Sequence, residues 1–267
     1  MRYFAAALFF FFALNASAAP IVLYDATLGN TPAQQSWLGA GDGSFQIPFH
    51  NGAGTVMDTT ADSDARFGYF SEDPLFGTAQ HPQLPTLSRQ QGFEVSFSLQ
   101  VIDENHALRD DNGDGKYDRA GFSLIVISND LAGIEIGFFE DKIWAYEDGL
   151  SNAANLFTQA ESVGLDTTQF NDYTLRGTNT GYSLFLNGTS ILSGDWRTYN
   201  TNTLFPYDNP SSLFFGDNTT SASSHVVLGS ISVESGPFPP PTPVPLPPAA
   251  ILILAGSVML RAARRVR

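Results

Sequence analysis

The sequence predicts an all-β fold, and three observations carry that prediction. Apolar and polar residues alternate with a period of two along several stretches, and Gly, Asn and Asp interrupt these stretches about every ten residues. Amphipathic helical patterns are almost missing between residues 20 and 235. Many short strands joined by such turns build a sandwich or a barrel.

The elements follow in order. FEVSFSLQV at 93–101 alternates strictly and reads as a half-buried strand. The run at 122–127 is nearly continuous in apolar residues, as in a strand covered on both faces. Residues 134–139 and 142–146 flank a Glu140-Asp141 turn and read as a hairpin. YTLR at 173–176 leads into GYSLFL at 181–186, after which Asn187-Gly188 supplies the positive φ angles of a tight hairpin turn into 189–192. A last pair, 212–215 and 225–233, closes the domain, and a proline-rich linker follows to residue 248.

The two ends read as addresses. Arg2, the apolar run 4–14 and Ala16-Ser17-Ala18 form a signal peptide over residues 1–19. The folded domain takes 20–235 and the linker 236–248, leaving 249–267 as a short hydrophobic helix that ends in Arg261, Arg264, Arg265 and Arg267. Those arginines would keep the tail's end in the cytoplasm, and spacing alone fits a permanent single-span anchor as well as a sorting signal. With its Val244-Pro245-Leu246-Pro247 opening, the tail resembles the PEP-CTERM class of sorting signals, closest to the VPLPA-CTERM variant, although Pro248 stands where Ala is usual. The resemblance implies processing by an exosortase-type membrane enzyme. It implies a precursor held in the inner membrane through the C-terminal helix, then release to the cell envelope or extracellular matrix.

Composition narrows the chemistry. The chain has a formal charge of −14, and all five basic residues outside the domain lie in the two terminal segments. The domain therefore sets eight Lys or Arg against 27 Asp or Glu, a net of −19. Such a surface repels nucleic acid and anionic lipid and suits calcium or an extracellular medium. Without cysteine, neither disulfides nor thiolate metal sites are available, and the four histidines form no close-spaced pair. No Gly-x-Ser-x-Gly elbow and no glycine-rich phosphate loop before a helix is present.

The strands at 173–192 and 225–233 resemble those of concanavalin A-like, or laminin-G-like, jelly rolls, which implies a late meander and a last strand returning beside the first. LYDATLG at 23–29 and EIGFFEDKIWA at 135–145 resemble the bacterial choice-of-anchor domains, family Y in particular, across roughly residues 21–235. Those domains occur on sorted surface proteins and have no settled activity.

Three sets of candidate site residues emerge. Counted from Asp110, the loop places Asp110, Asn112, Asp114, Lys116 (through its carbonyl) and Asp118 at positions 1, 3, 5, 7 and 9, with Gly115 at 6. That spacing curls oxygens around one point, as calcium needs. Position 12 is Gly121, where an EF-hand has Glu, so the loop is a half-site needing a further carboxylate, with Asp103 or Glu104 as candidates. An Asp/Asn/Gly-rich turn without metal is the alternative. Glu135 and Glu140 resemble the paired glutamates on a strand of laminarinase-like glycoside hydrolases, but Gly137 replaces the Asp between them. On a regular strand the two face opposite sides, and in an ordinary hairpin Glu135 faces solvent with Glu140 at the tip. A Tyr or Trp in such a domain more often packs into the core than stacks on a sugar, and Trp196 and Tyr199, in a stretch without strand alternation, are the better candidates for sugar-stacking rings. The reading is of a non-catalytic exported module that binds polysaccharide or a surface protein and is braced by calcium. A laminarinase-like hydrolase and a purely structural envelope protein are the alternatives.

Overall fold

The computed structural model describes residues 19–62, 64–72, 81–199 and 205–238, which form a sandwich of two antiparallel sheets. In chain order the strands are β1 (Ile21–Tyr24), β2 (Leu38–Asp42), β3 (Gln46–His50), β4 (Thr55–Asp58), β5 (Arg66–Phe70), β6 (Phe93–His106), β7 (Ser123–Ile127), β8 (Gly133–Phe138), β9 (Lys142–Tyr146), β10 (Gln159–Gly164), β11 (Asn171–Thr178), β12 (Gly181–Leu186), β13 (Thr189–Gly194), β14 (Ser212–Asp217) and β15 (Ala222–Ser235). One sheet runs β13-β12-β11-β6-β15-β4-β3, with β1 added beside β15; the other runs β10-β9-β8-β7-β14-β5-β2. The late strands form a meander, and the last strand pairs with the first (Ile21↔Val233). Between β12 and β13, Asn187 and Gly188 take φ of 48° and 79°, the left-handed pair that matches the twist of a tight hairpin.

Alternation along each strand divides its side chains between two layers. Phe97, Leu99, Ile136, Phe138, Tyr173 and Phe215 meet between the sheets. There Phe97 stacks on Tyr173 at 5.4 Å and meets Phe138 and Phe215 edge-on. The opposite positions of the β7–β9 and β14 strands are not left to solvent. Ile125, Ile127, Trp144, Tyr146 and Phe214 form a second apolar layer, closed from outside by Ala120, Phe139, Tyr199 and Tyr207. This is why β7 is buried at all five positions. Each aromatic or branched side chain so covered stabilises the fold by roughly 1.5–3 kcal/mol.

The strands of the first third carry less alternation than the rest. β2 (LGAGD) and β3 (QIPFH) contain Gly or Pro and lie at sheet edges, where an interrupted ladder is tolerated. After β15, Gly236 N donates to Gly92 O at 3.2 Å and the Phe238 ring lies on the Arg176 guanidinium at 5.3 Å. The rest of the linker, the expected signal peptide up to residue 18, the hydrophobic tail and the expected sorting residues Val244, Pro245, Leu246, Pro247, Arg261, Arg264, Arg265 and Arg267 lie outside the described residues.

Candidate functional site

The carboxyl group of Glu135 is the starting point. On β8, Ile134, Ile136 and Phe138 point between the sheets, so Glu135 points the other way, into the second layer. An ordinary hairpin would expose this position to solvent, yet the residue is only 1% exposed because the loops cover it. Tyr207 Oη donates to its Oε2 at 2.6 Å and Asn218 Nδ2 to its Oε1 at 3.2 Å. Burial pushes this carboxyl up to about 7, against the pull of those hydrogen bonds. It is therefore held as a neutral acid below that pH.

Glu140 stands elsewhere. It is exposed beyond the end of β8, and its Oε1 accepts from the Glu104 backbone N–H at 3.2 Å. The two glutamates share no partner, and they do not converge on one cleft.

A different set of residues does converge. The outer faces of β2, β5 and β14 and the loops beside them enclose a cleft of about 630 Å³ that reaches Glu135. Ala40 and Gly68 face it and keep it open. At Gly68 an added Cβ would sit 2.1 Å from Phe214 Cε2, so the Phe214 ring occupies the space a side chain would take. Phe205, Phe70 and Phe214 make a continuous aromatic wall, with centroids 5.0 and 4.6 Å apart. Phe205 is 39% exposed and offers its surface outward.

The polar groups of the cleft stand at its two ends. On the rim, Arg66 Nε donates to Asp42 Oδ1 at 2.9 Å and its Nη2 to Oδ2, a bidentate pair. This pair holds the Asp42 carboxyl below the ordinary carboxylate range. Deeper in, Asp217 accepts from Thr59 Oγ1 at 2.8 Å and from the Thr219 N–H at 3.0 Å, and burial pushes it up to about 8. Arg119 closes the far end with its Nη1 on the carbonyls of Asp118 and Phe157 and its Nη2 on Asp111.

The remaining expected residues have other surroundings. Tyr199 is 2% exposed; its hydroxyl accepts from the Glu135 N–H at 3.3 Å and donates to the Tyr146 carbonyl at 2.9 Å, filling a gap in the β8–β9 ladder. Trp196 is half-buried against Phe93 and donates from Nε1 to the Thr178 carbonyl. Neither ring is a free platform. The stretch lacks alternation because it is a cover segment packed onto a sheet, and loop irregularity is not the same as exposure.

In the acidic loop, spacing and side-chain direction disagree. Asp110 Oδ1 accepts from Gly113 and Asp114 N–H and its Oδ2 from Gly115 N–H, while Asn112 Oδ1 accepts from Asp114 N–H. Asp114 meets the Lys116 ammonium at 2.9 Å. Asp118 is fully buried and turned inward, accepting from Asp111 N–H at 2.8 Å and Gln159 N–H at 2.9 Å. Glu104 is taken up by His106 Nδ1 at 2.8 Å. The order of residues fits a calcium half-loop, whereas the carboxylates as folded are directed at the loop's own donors. Among the described residues no group of three or more His, Asp or Glu is arranged to hold a metal ion. At position 12, Gly121 lies against β15, where an added Cβ would be 2.1 Å from the Ser223 carbonyl carbon.

No family model matches the chain, and no curated protein matches it. Solved structures do. A carbohydrate esterase from the Shiga toxin-encoding bacteriophage phi24B superposes with a TM-score of 0.53 at 13% identity, over 82% of this chain and 100% of that one. A Bacillus subtilis protein of unknown function with a galectin-like fold gives 0.43 at 12% identity, over 84% and 100% of the two chains. A carbohydrate binding module from the same organism gives 0.39 at 10% identity, over 77% and 97%. The likeness to the phage protein is one of fold: an all-β sandwich of two antiparallel sheets.

Proposed function

We propose that this domain is an exported, non-catalytic module that binds polysaccharide in the cleft over β2, β5 and β14. One observation carries the reading: a row of rings, Phe205 exposed at the mouth with the half-buried Phe70 and the buried Phe214 behind it, lines a cleft whose rim holds the bidentate Asp42–Arg66 pair. Flat apolar rings match the C–H faces of a sugar, and a carboxylate beside a guanidinium offers an acceptor and donors to neighbouring hydroxyls. A volume of about 630 Å³ is within the range of small-ligand sites. The signal peptide and the resemblance of the tail to a sorting signal support delivery to the envelope or matrix, after a stage held at the membrane for an exosortase-type enzyme.

The mature protein recovered from the envelope fraction tests both parts. Its mass is expected to lack residues 1–19 and the hydrophobic tail, and on a glycan array it is expected to bind polysaccharide. Phe205→Ala, at an exposed ring, is expected to weaken that binding about 10-fold, roughly 1.4 kcal/mol, without lowering the unfolding temperature. Undiminished binding by this variant would take the cleft out of the reading.

Calcium at the 110–118 loop belongs to the same proposal. The spacing of Asp110, Asn112 and Asp114 supports it, and it requires the Lys116 ammonium to leave Asp114. Millimolar calcium is expected to raise the unfolding temperature by a few degrees, on the order of 1 kcal/mol for a weak extracellular site. A chelator should reverse the rise, and an unchanged melting curve would remove the metal.

A further inference from the structure

We infer that the cleft selects uncharged, hydroxyl-rich glycans and excludes uronate-bearing or sulfated ones. This rests on the cleft being the polysaccharide site, and it adds the class of polysaccharide.

The inference comes from how each charge at the cleft is spent. Arg66 gives Nε and Nη2 to the two oxygens of Asp42, so the rim pair carries no net charge toward a ligand. Arg119 reaches the far end, but both of its terminal nitrogens are engaged, one by two backbone carbonyls and the other by Asp111. The two deep carboxyls are enclosed by donors that belong to the fold: Tyr207 and Asn218 on Glu135, Thr59 and the Thr219 N–H on Asp217. Burial raises both, Glu135 to about 7 and Asp217 to about 8, so both are largely protonated at pH 6. Among the described residues, then, an acidic sugar meets no cation in this cleft that is not already paired.

The rest of the domain reinforces the exclusion. Its formal net charge of −19 means that a polyanion approaches the domain against repulsion. A neutral chain meets no such barrier. Its hydroxyls meet the exposed Asp42–Arg66 pair, whose carboxylate oxygens keep spare lone pairs, and the exposed Thr220 hydroxyl beside the Phe wall.

Affinity electrophoresis of the purified domain at pH 6 separates the outcomes. The gels hold either a neutral polymer (mixed-linkage β-glucan, xylan or dextran) or an acidic one (polygalacturonate, alginate or dextran sulfate), each run at low salt and at 0.5 M NaCl. Retardation by at least one neutral polymer, at least 10-fold stronger than by any acidic polymer and reduced about 10-fold in Phe205→Ala, is the expected result. Retardation by acidic polymers alone, abolished in Phe205→Ala, would overturn the selectivity and leave the cleft as a polysaccharide site. Retardation by none of the six would overturn the selectivity together with the polysaccharide reading.

Discussion

Raising the pH from 5 to 9 is expected to lower the unfolding temperature by about 10 °C or more. The cause is the set of carboxyls buried on folding. Glu135 is pushed up to about 7 and Asp217 to about 8, both mainly by loss of water. Below about pH 4 these groups are protonated in the folded and unfolded chains alike, and the stability they permit is fully present. Between there and pH 8 the folded chain holds protons that the unfolded chain has released, so stability falls as the pH rises. A tenfold difference in proton affinity between the folded and unfolded chains is worth about 1.4 kcal/mol, which makes the loss several kcal/mol for the pair. Asp25, Asp42, Asp114 and Asp166 are held low by hydrogen bonds and act in the opposite sense below pH 4. Being exposed, they count for little. The maximum is expected near pH 5. Glu135→Gln removes the ionisable group, and its one carbonyl oxygen accepts from Tyr207 or Asn218 but not both. Its unfolding temperature should change several degrees less than that of the wild type between pH 5 and pH 8.5. Parallel decline of the two proteins would show that Glu135 is not a source of the slope.

Gly121→Ala is expected to destabilise the domain by about 3 kcal/mol, the upper part of the range for overpacking. The reason is backbone, not side chain. Its Cβ would lie 2.1 and 2.2 Å from the carbonyl carbon and oxygen of Ser223, and Ser224 Oγ donates to the Gly121 carbonyl at 2.6 Å. No rotamer relieves such a contact, so either the chain leading into β7 or β15 has to move. Gly121→Glu, which writes in the carboxylate missing from the calcium pattern, should therefore weaken the fold instead of tightening a metal. A chemical denaturation midpoint unchanged in Gly121→Ala would contradict this close approach.

The fold is legible where strands are long and their surroundings local. The alternation of 93–101 and the Asn187-Gly188 turn correspond to β6 and the β12–β13 hairpin, because period and turn chemistry act within a few residues. β2, β3 and β5 are not legible. Each is five residues long and glycine or proline interrupts its pattern, so its place is set by neighbours far away in sequence. The cleft is hidden for the same reason. Asp42, Arg66, Phe205 and Asp217 have no spacing in common and meet only through the pairing of β2, β5 and β14. One signal is present. The 122–127 run is apolar at positions of both parities, which demands a cover on the outer face, and Glu135 is the register partner of Ile125 on the adjoining strand. A carboxyl beside a doubly covered strand is buried, which the apolar run and the hairpin together imply. Tyr199 is hard to place for the reverse reason, since a cover segment has the irregularity of an exposed loop.

The course of β15 has a mechanical consequence. This fourteen-residue strand lies inside its sheet, joined to β6 on one side and to β4 and β1 on the other. Any pull on the chain beyond Gly236 enters the domain through that strand. Because β15 is hydrogen-bonded on both flanks, tension along it must shear several ladders together, whereas a strand at the sheet margin would peel away one bond at a time. The chain thus leaves the domain from an interior strand whose extraction must break pairing on both flanks, and the cleft sits on the other sheet, off the line of force.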